Sequence, residues 1–127
     1  MTENELATIV INAAFHIHRT LGPGLLENAY EAVLAHELRK QGLTIECQKI
    51  LPLVWEGLVI EESYRADLVV EEKLVVELKS VETLAPVFKK QLLTYLKVGN
   101  FKLGILVNFG AALFKNGVER VINGRLD

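Results

Sequence analysis

The sequence predicts an α/β (α+β) fold with a mixed central sheet flanked by helices, in the order α-α-β-β-β-α-β-β. Three patterns support this prediction. Apolar residues recur at helical spacing through the first 41 residues. Valine- and leucine-rich segments separated by short polar turns follow up to residue 80. A segment that begins with proline then precedes a nearly continuous apolar run, which is typical of a buried strand.

Two helices are predicted first. Residues 3–20 form one, because apolar residues recur there one turn apart: Leu6, Ile9, Val10, Ala13 and Ile17. The segment Leu21-Gly22-Pro23-Gly24 ends it. A second helix begins near residue 25 or 26, continues to about residue 41 and stops at Gly42. Its apolar stripe consists of Tyr30, Leu34 and Leu38.

Three strands are predicted next. The first covers residues 44–50 and 51–55, and Pro52 indicates an edge or a bend in this region. A turn at Glu56-Gly57 leads into residues 58–70. The polar segment Glu71-Glu72-Lys73 has hairpin length, so residues 74–80 are predicted to pair with the preceding strand.

The remaining chain supplies a helix and strands. Pro86 suits the first turn of a helix over residues 86–98, which Gly99-Asn100 ends. Residues 102–109 are predicted as a buried strand. Two short strands, 112–115 and 118–122, are expected to flank a hairpin turn at Asn116-Gly117.

Composition limits the classes of function. The chain has 127 residues, half of them apolar, and we expect one globular domain over 1–127. The net charge of −2 gives no general attraction to nucleic acid, so local basic groups, a metal or a partner would have to supply it. Cys47 is the only cysteine, which excludes an intrachain disulfide. The acidic N-terminus is unlike a signal peptide, and the longest apolar stretch is too short to span a bilayer. These features predict a cytoplasmic location and no membrane partner.

The hairpin around Glu72 brings charged residues together. If it is symmetric, Asp67 lies across from Glu77, and Arg65 lies across from Lys79. Because side chains alternate along a strand, these four share one face at the end far from the turn. The other face is then apolar and suited to a core: Ala66, Leu68, Val70, Leu74, Val76 and Leu78.

This arrangement predicts a divalent-metal site for phosphodiester hydrolysis. Two carboxylates would hold the metal, and Lys79 would serve the attacking water or the phosphate. An ordinary half-solvated strand with a surface ion pair is the alternative. Like charges directly opposite each other destabilise a surface hairpin, however, and a bound cation removes that penalty.

The residues gathered so far resemble the PD-(D/E)XK nuclease superfamily, and within it the small GxxExxY branch. The naming motif is matched by Gly24-Leu25-Leu26-Glu27-Asn28-Ala29-Tyr30, preceded by His18. The superfamily core is matched by Asp67 with Glu77-Leu78-Lys79, although Ala66 stands where proline is usual. The helix motif of RecB-like nucleases resembles Gln91-Leu92-Leu93-Thr94-Tyr95. The resemblance extends from about residue 9 to residue 122.

The resemblance implies a restriction-endonuclease-like core and a Mg²⁺-dependent nuclease, with Mn²⁺ as a substitute and DNA as substrate. It implies that Glu27, Asp67, Glu77 and the Leu78 carbonyl bind the metal. Lys79 would orient water or steady the phosphate, and Gln91 and Tyr95 would lie beside the site. An ordinary role for Glu27 is also open, because an acid in the first turn of a helix is favoured by the helix dipole. Gln91 and Tyr95 could equally be a boundary pair on an amphipathic helix.

Two other functions stay open at this point. One is a non-catalytic nucleic-acid- or protein-binding module that retains the nuclease fold. The other is a hydrolase acting on RNA or on another phosphate ester. A homodimer that covers a sheet edge, or a partner protein that supplies nucleic-acid binding, is expected for so small and acidic a chain.

Overall fold

The computed structural model describes residues 1–126 and confirms the predicted element order. The helices are α1 (Glu3–Leu21), α2 (Glu27–Lys40) and α3 (Pro86–Gly99). The strands are β1 (Ile45–Trp55), β2 (Leu58–Val70), β3 (Leu74–Lys79), β4 (Leu103–Asn108) and β5 (Val118–Ile122). This mixed α/β arrangement is that of a restriction-endonuclease-like core.

The helix ends follow from local chemistry. Thr2 caps α1 reciprocally with Glu5: the Thr2 Oγ1 accepts from the Glu5 N–H at 3.1 Å, and the Thr2 N–H donates to Glu5 Oε1 at 3.0 Å. Asn100 ends α3 in the left-handed conformation, with φ of 59°. This ending confirms the stop predicted at Gly99-Asn100.

The sheet is mixed, with strands in the order β1-β2-β3-β4-β5. The β3–β4 pair is parallel and the other three pairs are antiparallel. In the β2–β3 hairpin, Leu68 pairs with Val76 and Val70 with Leu74, which is the register predicted from a symmetric turn. Residues 45–50 and 51–55 together form the edge strand β1, and its register shifts at Pro52, where an edge or a bend was predicted.

Two apolar cores cover the two faces of the sheet. The first joins α1 and α2 to the sheet and contains five of the six residues predicted for the apolar face: Leu68, Val70, Leu74, Val76 and Leu78. The second joins α3 to the sheet through Val69, Val75 and Leu106. Together they bury β3 and β4 almost completely, which positions the charged end of the hairpin on a rigid support.

The prediction for Ala66 was wrong. Ala66 belongs to the second core, with Val69 and Val75, and not to the face that contains Leu68. The β1–β2 ladder is interrupted beside it, between the pairs Cys47↔Leu68 and Lys49↔Ala66. Gln48, in that gap, has φ of 51°, so the regular alternation of faces does not continue through this point.

The predicted strand over 112–115 and the hairpin turn at Asn116-Gly117 were also wrong. Phe114–Gly117 forms a 3₁₀ helix that leads directly into β5. Phe114 is buried in the first core, with its ring centre 5.6 Å from that of Phe15. A Cβ on Gly117 would lie 2.5 Å from the Asn108 carbonyl oxygen, so the glycine permits a close backbone approach.

Among residues 1–126, no helix combines the length and the apolar character that crossing a membrane requires.

Candidate active site

One pocket gathers the side chains that the sequence singled out. It lies beside α3, at the end of the β2–β3 hairpin far from the turn, and has a volume of about 170 Å³. Six predicted site side chains contribute to its wall: Glu27, Asp67, Glu77, Lys79, Gln91 and Tyr95. Arg65, Phe88, Leu92 and Leu106 complete the lining. Arg65, Asp67, Glu77 and Lys79 therefore meet in one pocket, as predicted. The predicted cross-strand pairs Asp67–Glu77 and Arg65–Lys79, however, lie beyond the last pair of the β2–β3 ladder, Leu68↔Val76.

Hydrogen bonds fix the Asp67 carboxylate through both of its oxygens. The β2–β3 backbone ladder ends at the pair Leu68↔Val76. Beyond that pair, Asp67 Oδ2 accepts a hydrogen bond from the Leu78 N–H at 2.8 Å. Asp67 Oδ1 accepts one from the Gln48 side-chain amide at 3.2 Å. The Leu78 N–H thus orients Asp67, and the role of the Leu78 carbonyl as a metal ligand stays a prediction.

Glu77 is a buried carboxyl group with one oxygen unsatisfied. Its residue is only 7% exposed, and Oε1 is buried with no hydrogen-bond partner among the described residues. Burial is the main cause that raises the pKa of Glu77 to about 9; the charge of Asp67 and a hydrogen bond to Asp67 contribute to this rise, and Lys79 partly offsets it. Without a cation, Glu77 is therefore held in its neutral form near neutral pH.

These properties fit a divalent cation. An orphaned buried oxygen beside a second carboxylate offers the oxygen ligands that Mg²⁺ and Mn²⁺ prefer, and a cation would offset the cost of ionising Glu77. The fit has a limit, since no cluster of three His, Cys, Asp or Glu side chains suited to holding a metal occurs within residues 1–126. Glu27 lines the pocket but is exposed. The buried or hydrogen-bonded oxygen donors that the structure shows there are the carboxylates of Asp67 and Glu77.

An aromatic ring holds Lys79 at the site. The Lys79 Nζ lies 4.4 Å from the centre of the Phe88 ring, within cation–π range. Phe88 comes from the first turn of α3 and lies one turn before Gln91. Sequence reasoning missed Phe88, although its spacing of three residues from Gln91 places both on one helical face.

We expect Phe88→Leu to reduce catalysis modestly. The variant keeps an apolar group against the second core but removes the ring that attracts the Lys79 ammonium. Cation–π contacts of this type contribute about 0.5–1 kcal/mol, which corresponds to about a two- to fivefold lower cleavage rate constant. Phe101→Leu is the matched control, because Phe101 packs against the same core. Equal rates for the two variants would exclude this role for Phe88.

A second tyrosine supports Tyr95. The Tyr64 and Tyr95 rings stack with centres 4.1 Å apart and planes 9° apart. The Tyr64 hydroxyl donates to the Tyr95 carbonyl at 2.8 Å. Burial raises the pKa of Tyr95, so its hydroxyl stays protonated at neutral pH. Tyr64 was not predicted as part of the site, because a contact between β2 and α3 leaves no local signal in the sequence.

Hydrogen bonds with Tyr30 and Ser80 hold the glycine-rich segment before α2, residues 22–25. Tyr30 is fully buried, and its hydroxyl donates to the Gly22 carbonyl at 2.5 Å and accepts from the Leu25 N–H at 3.1 Å. Ser80, just after β3, donates to the Leu25 carbonyl at 2.7 Å. These bonds hold the start of α2, and with it Glu27, beside the end of β3. Tyr30 therefore packs in the core, as its place in the apolar stripe predicts, and it also positions this segment.

His18 has a structural environment. It is buried, its Nε2 lies 2.7 Å from the Ala111 carbonyl, and its ring centre lies 5.7 Å from that of Phe114. It does not line the pocket that contains Asp67 and Glu77.

Two further residues missed by sequence reasoning connect α2 to the acid pair. The Gln48 side-chain amide donates to Glu31 Oε1 at 2.5 Å as well as to Asp67. Burial raises the pKa of Glu31, and the charge of Asp67 adds to that effect. Glu31 lies one turn after Glu27 on α2, so its helical spacing was a signal that sequence reasoning did not use.

A larger pocket elsewhere lacks this chemistry. It has a volume of about 630 Å³ and lies between the start of α3 and β5. Its one acidic residue, Glu119, pairs with Lys89 at 3.7 Å. The smaller pocket is therefore the candidate active site, because it alone of the two contains converging carboxylates.

Comparison with known proteins gives one match. A family model described as the PD-(D/E)XK nuclease superfamily matches residues 4–121. No curated protein and no solved structure matches the chain.

Proposed function

We propose, since this chain belongs to the PD-(D/E)XK nuclease superfamily, that it is a divalent-metal-dependent nuclease that hydrolyses phosphodiester bonds in DNA. Superfamily membership supports nuclease activity and nucleic-acid binding. The observation that carries the proposal is the orphaned Oε1 of Glu77 beside Asp67, in a pocket that also contains Lys79. Three requirements of the reaction are met there: oxygen ligands for a metal ion, the Lys79 ammonium group to stabilise phosphate charge, and access from solvent.

The proposed roles are those that the superfamily resemblance implies, and burial and charge support the roles of Asp67, Glu77 and Lys79. Asp67 and Glu77 hold the cation, with the Leu78 carbonyl as a third ligand and Glu27 as a further one. A bound divalent cation supplies Lewis acidity for attack of water on phosphorus. Lys79 stabilises the negative charge that the phosphorus centre gains as the bond to the leaving oxygen breaks. Gln91 and Tyr95 contact the substrate or its water from the α3 side of the pocket.

Finer assignments are part of the same proposal. We assign the chain to the GxxExxY branch on its Gly24–Tyr30 motif, with Mg²⁺ as the ion and Mn²⁺ as its substitute. The retained motifs extend over most of residues 1–127, which supports one nuclease-like domain. A cytoplasmic location is proposed on the sequence features alone.

The test is a cleavage assay with the pure protein. Labelled single-stranded DNA, duplex DNA and RNA are incubated with Mg²⁺, with Mn²⁺ and with EDTA, beside Asp67→Asn. We expect metal-dependent cleavage of DNA by the wild type and none by the variant, because the amide cannot supply the second carboxylate charge. Cleavage of RNA alone would change the substrate class.

Absence of cleavage has a distinct meaning. A folded protein that binds Mn²⁺ but cuts none of the three substrates would favour the non-catalytic binding module or a partner-dependent enzyme. Cleavage that is unaffected by Asp67→Asn would contradict the assignment of Asp67 as a metal ligand.

A homodimer or a partner protein remains a prediction, and one surface supports it. The outer part of the β1–β2 hairpin is not paired with β3, and its apolar residues are exposed: Val54, Trp55, Leu58, Val59 and Ile60. Glu56, Glu61 and Glu62 are the charged residues there, so this surface suits protein more than phosphate.

A further inference from the structure

Gln48 has an unusual backbone conformation for a strand residue. Its φ of 51° is in the left-handed region, inside β1. The other described non-glycine residues with positive φ lie in turns or at a helix end: Glu56, Glu71, Glu72 and Asn100. This conformation is unfavourable for residues other than glycine and asparagine. Contacts of the glutamine side chain must therefore stabilise it.

The conformation directs the Gln48 amide to two carboxylates from different elements. Its Nε2 lies 2.5 Å from Glu31 Oε1 on α2 and 3.2 Å from Asp67 Oδ1 on β2. A primary amide has two N–H donors, so one side chain can bridge both acids. The donor is neutral, and it therefore brings the two acids together without cancelling the negative charge that attracts a cation.

The bridge also determines how Asp67 is presented. Asp67 Oδ2 is held by the Leu78 N–H and Oδ1 by Gln48, one bond on each oxygen. Each carboxylate oxygen has two acceptor positions, so one position on each oxygen remains for a cation. Removing Gln48 would free one side of Asp67 to rotate away from Glu77.

We propose that Gln48 is a positioning residue for the cation site: it orients Asp67, ties Glu31 to the acid pair, and thereby sets the affinity for the divalent cation. This inference rests on the proposed function, because it requires that Asp67 and Glu77 bind the ion.

The test uses Gln48→Gly in the full chain. Glycine accepts positive φ without cost, so the variant removes the amide while relieving the backbone. Mn²⁺ affinity is measured by titration with electron paramagnetic resonance detection of free Mn²⁺. We expect a Kd about 10- to 100-fold weaker than that of the wild type. The metal-free melting temperature stays equal or rises, which a merely structural role for Gln48 would not produce.

Glu56→Gly is the matched control. Glu56 also has positive φ (48°) but lies in the turn between β1 and β2, outside the pocket. We expect unchanged Mn²⁺ affinity in this variant. Gln48→Met, which keeps side-chain length without an amide, provides a second measure and should weaken binding as Gln48→Gly does.

The outcomes separate the two proposals. If the wild type binds Mn²⁺ and both Gln48 variants bind it equally well, the role of Gln48 is overturned while the proposed function stands. If the wild type binds no Mn²⁺, the proposed function fails and the inference fails with it.

Discussion

In Lys79→Ala, we expect the cleavage rate constant to fall by about 10²- to 10³-fold while Mn²⁺ binding persists. Removing one preorganised group that stabilises transition-state charge has effects of this size. Lys79 is well placed for that role, since it lines the pocket with Asp67 and Glu77 and is held by the Phe88 ring. It donates no ligand oxygen, so its removal leaves the donors of the cation site in place.

Single-turnover cleavage and Mn²⁺ titration on the same preparation separate the two effects. Lys90→Ala is the matched control, because Lys90 is an exposed lysine on α3 that does not line the pocket. Lys79→Ala that cleaves at the wild-type rate would show that Lys79 has only a packing role. Loss of both cleavage and Mn²⁺ binding would show instead that Lys79 supports the fold of the site.

In Glu77→Gln, we expect loss of Mn²⁺ binding and cleavage together with a gain in metal-free stability at high pH. The pKa of Glu77 is raised to about 9 in the folded protein from an ordinary value of 4.5. Between these values, the folded state binds more protons than the unfolded state. The stability that Glu77 contributes is therefore fully present below pH 4.5 and is lost as the pH rises through about 9. Glutamine stays neutral throughout.

The measurable quantity is the difference in free energy of unfolding between Glu77→Gln and the wild type. It should grow in favour of the variant from pH 5 to pH 9, by at most about 1.4 kcal/mol per pH unit. Urea unfolding in EDTA at several pH values measures it, with Glu61→Gln as an exposed control on β2. A constant difference across this range would contradict the assigned state of Glu77.

In the wild type, cation binding should reverse the loss of stability that occurs as the pH rises. The ion needs the carboxylate form of Glu77, so binding releases a proton and affinity rises with pH. At pH 8, Mn²⁺ at about 100 times its Kd should stabilise the wild type by about 2.7 kcal/mol. Glu77→Gln should show no such gain.

The sequence predicted the fold and the central part of the site because these depend on local rules. The three-residue connection after Val70 determines the β2–β3 register as far as the pair Leu68↔Val76, and the four charged residues that follow this pair line one pocket. Apolar periodicity located α1, α2 and α3 to within about two residues. Spacing on one helix likewise brought Gln91 and Tyr95 to the same pocket.

Contacts between elements that are far apart in the sequence could not be predicted from local sequence patterns. Gln48, Phe88 and Tyr64 each contact a site residue that belongs to another helix or strand. Only the folded chain brings these partners together. The face of Ala66 was predicted wrongly because strict alternation assumes an uninterrupted ladder, and Gln48 interrupts it. Asn116-Gly117 resembles a hairpin turn, but burial of Phe114 favours a 3₁₀ turn at that point.

The most direct measurement is the position of Mn²⁺ in crystals grown with the ion, located by its anomalous scattering. This measurement tests whether Asp67 and Glu77 jointly bind the catalytic cation. We predict an anomalous peak bound by both carboxylates, with Glu77 Oε1 among its ligands. A peak elsewhere on the protein, or no peak between these two residues at saturating Mn²⁺, would contradict this joint binding.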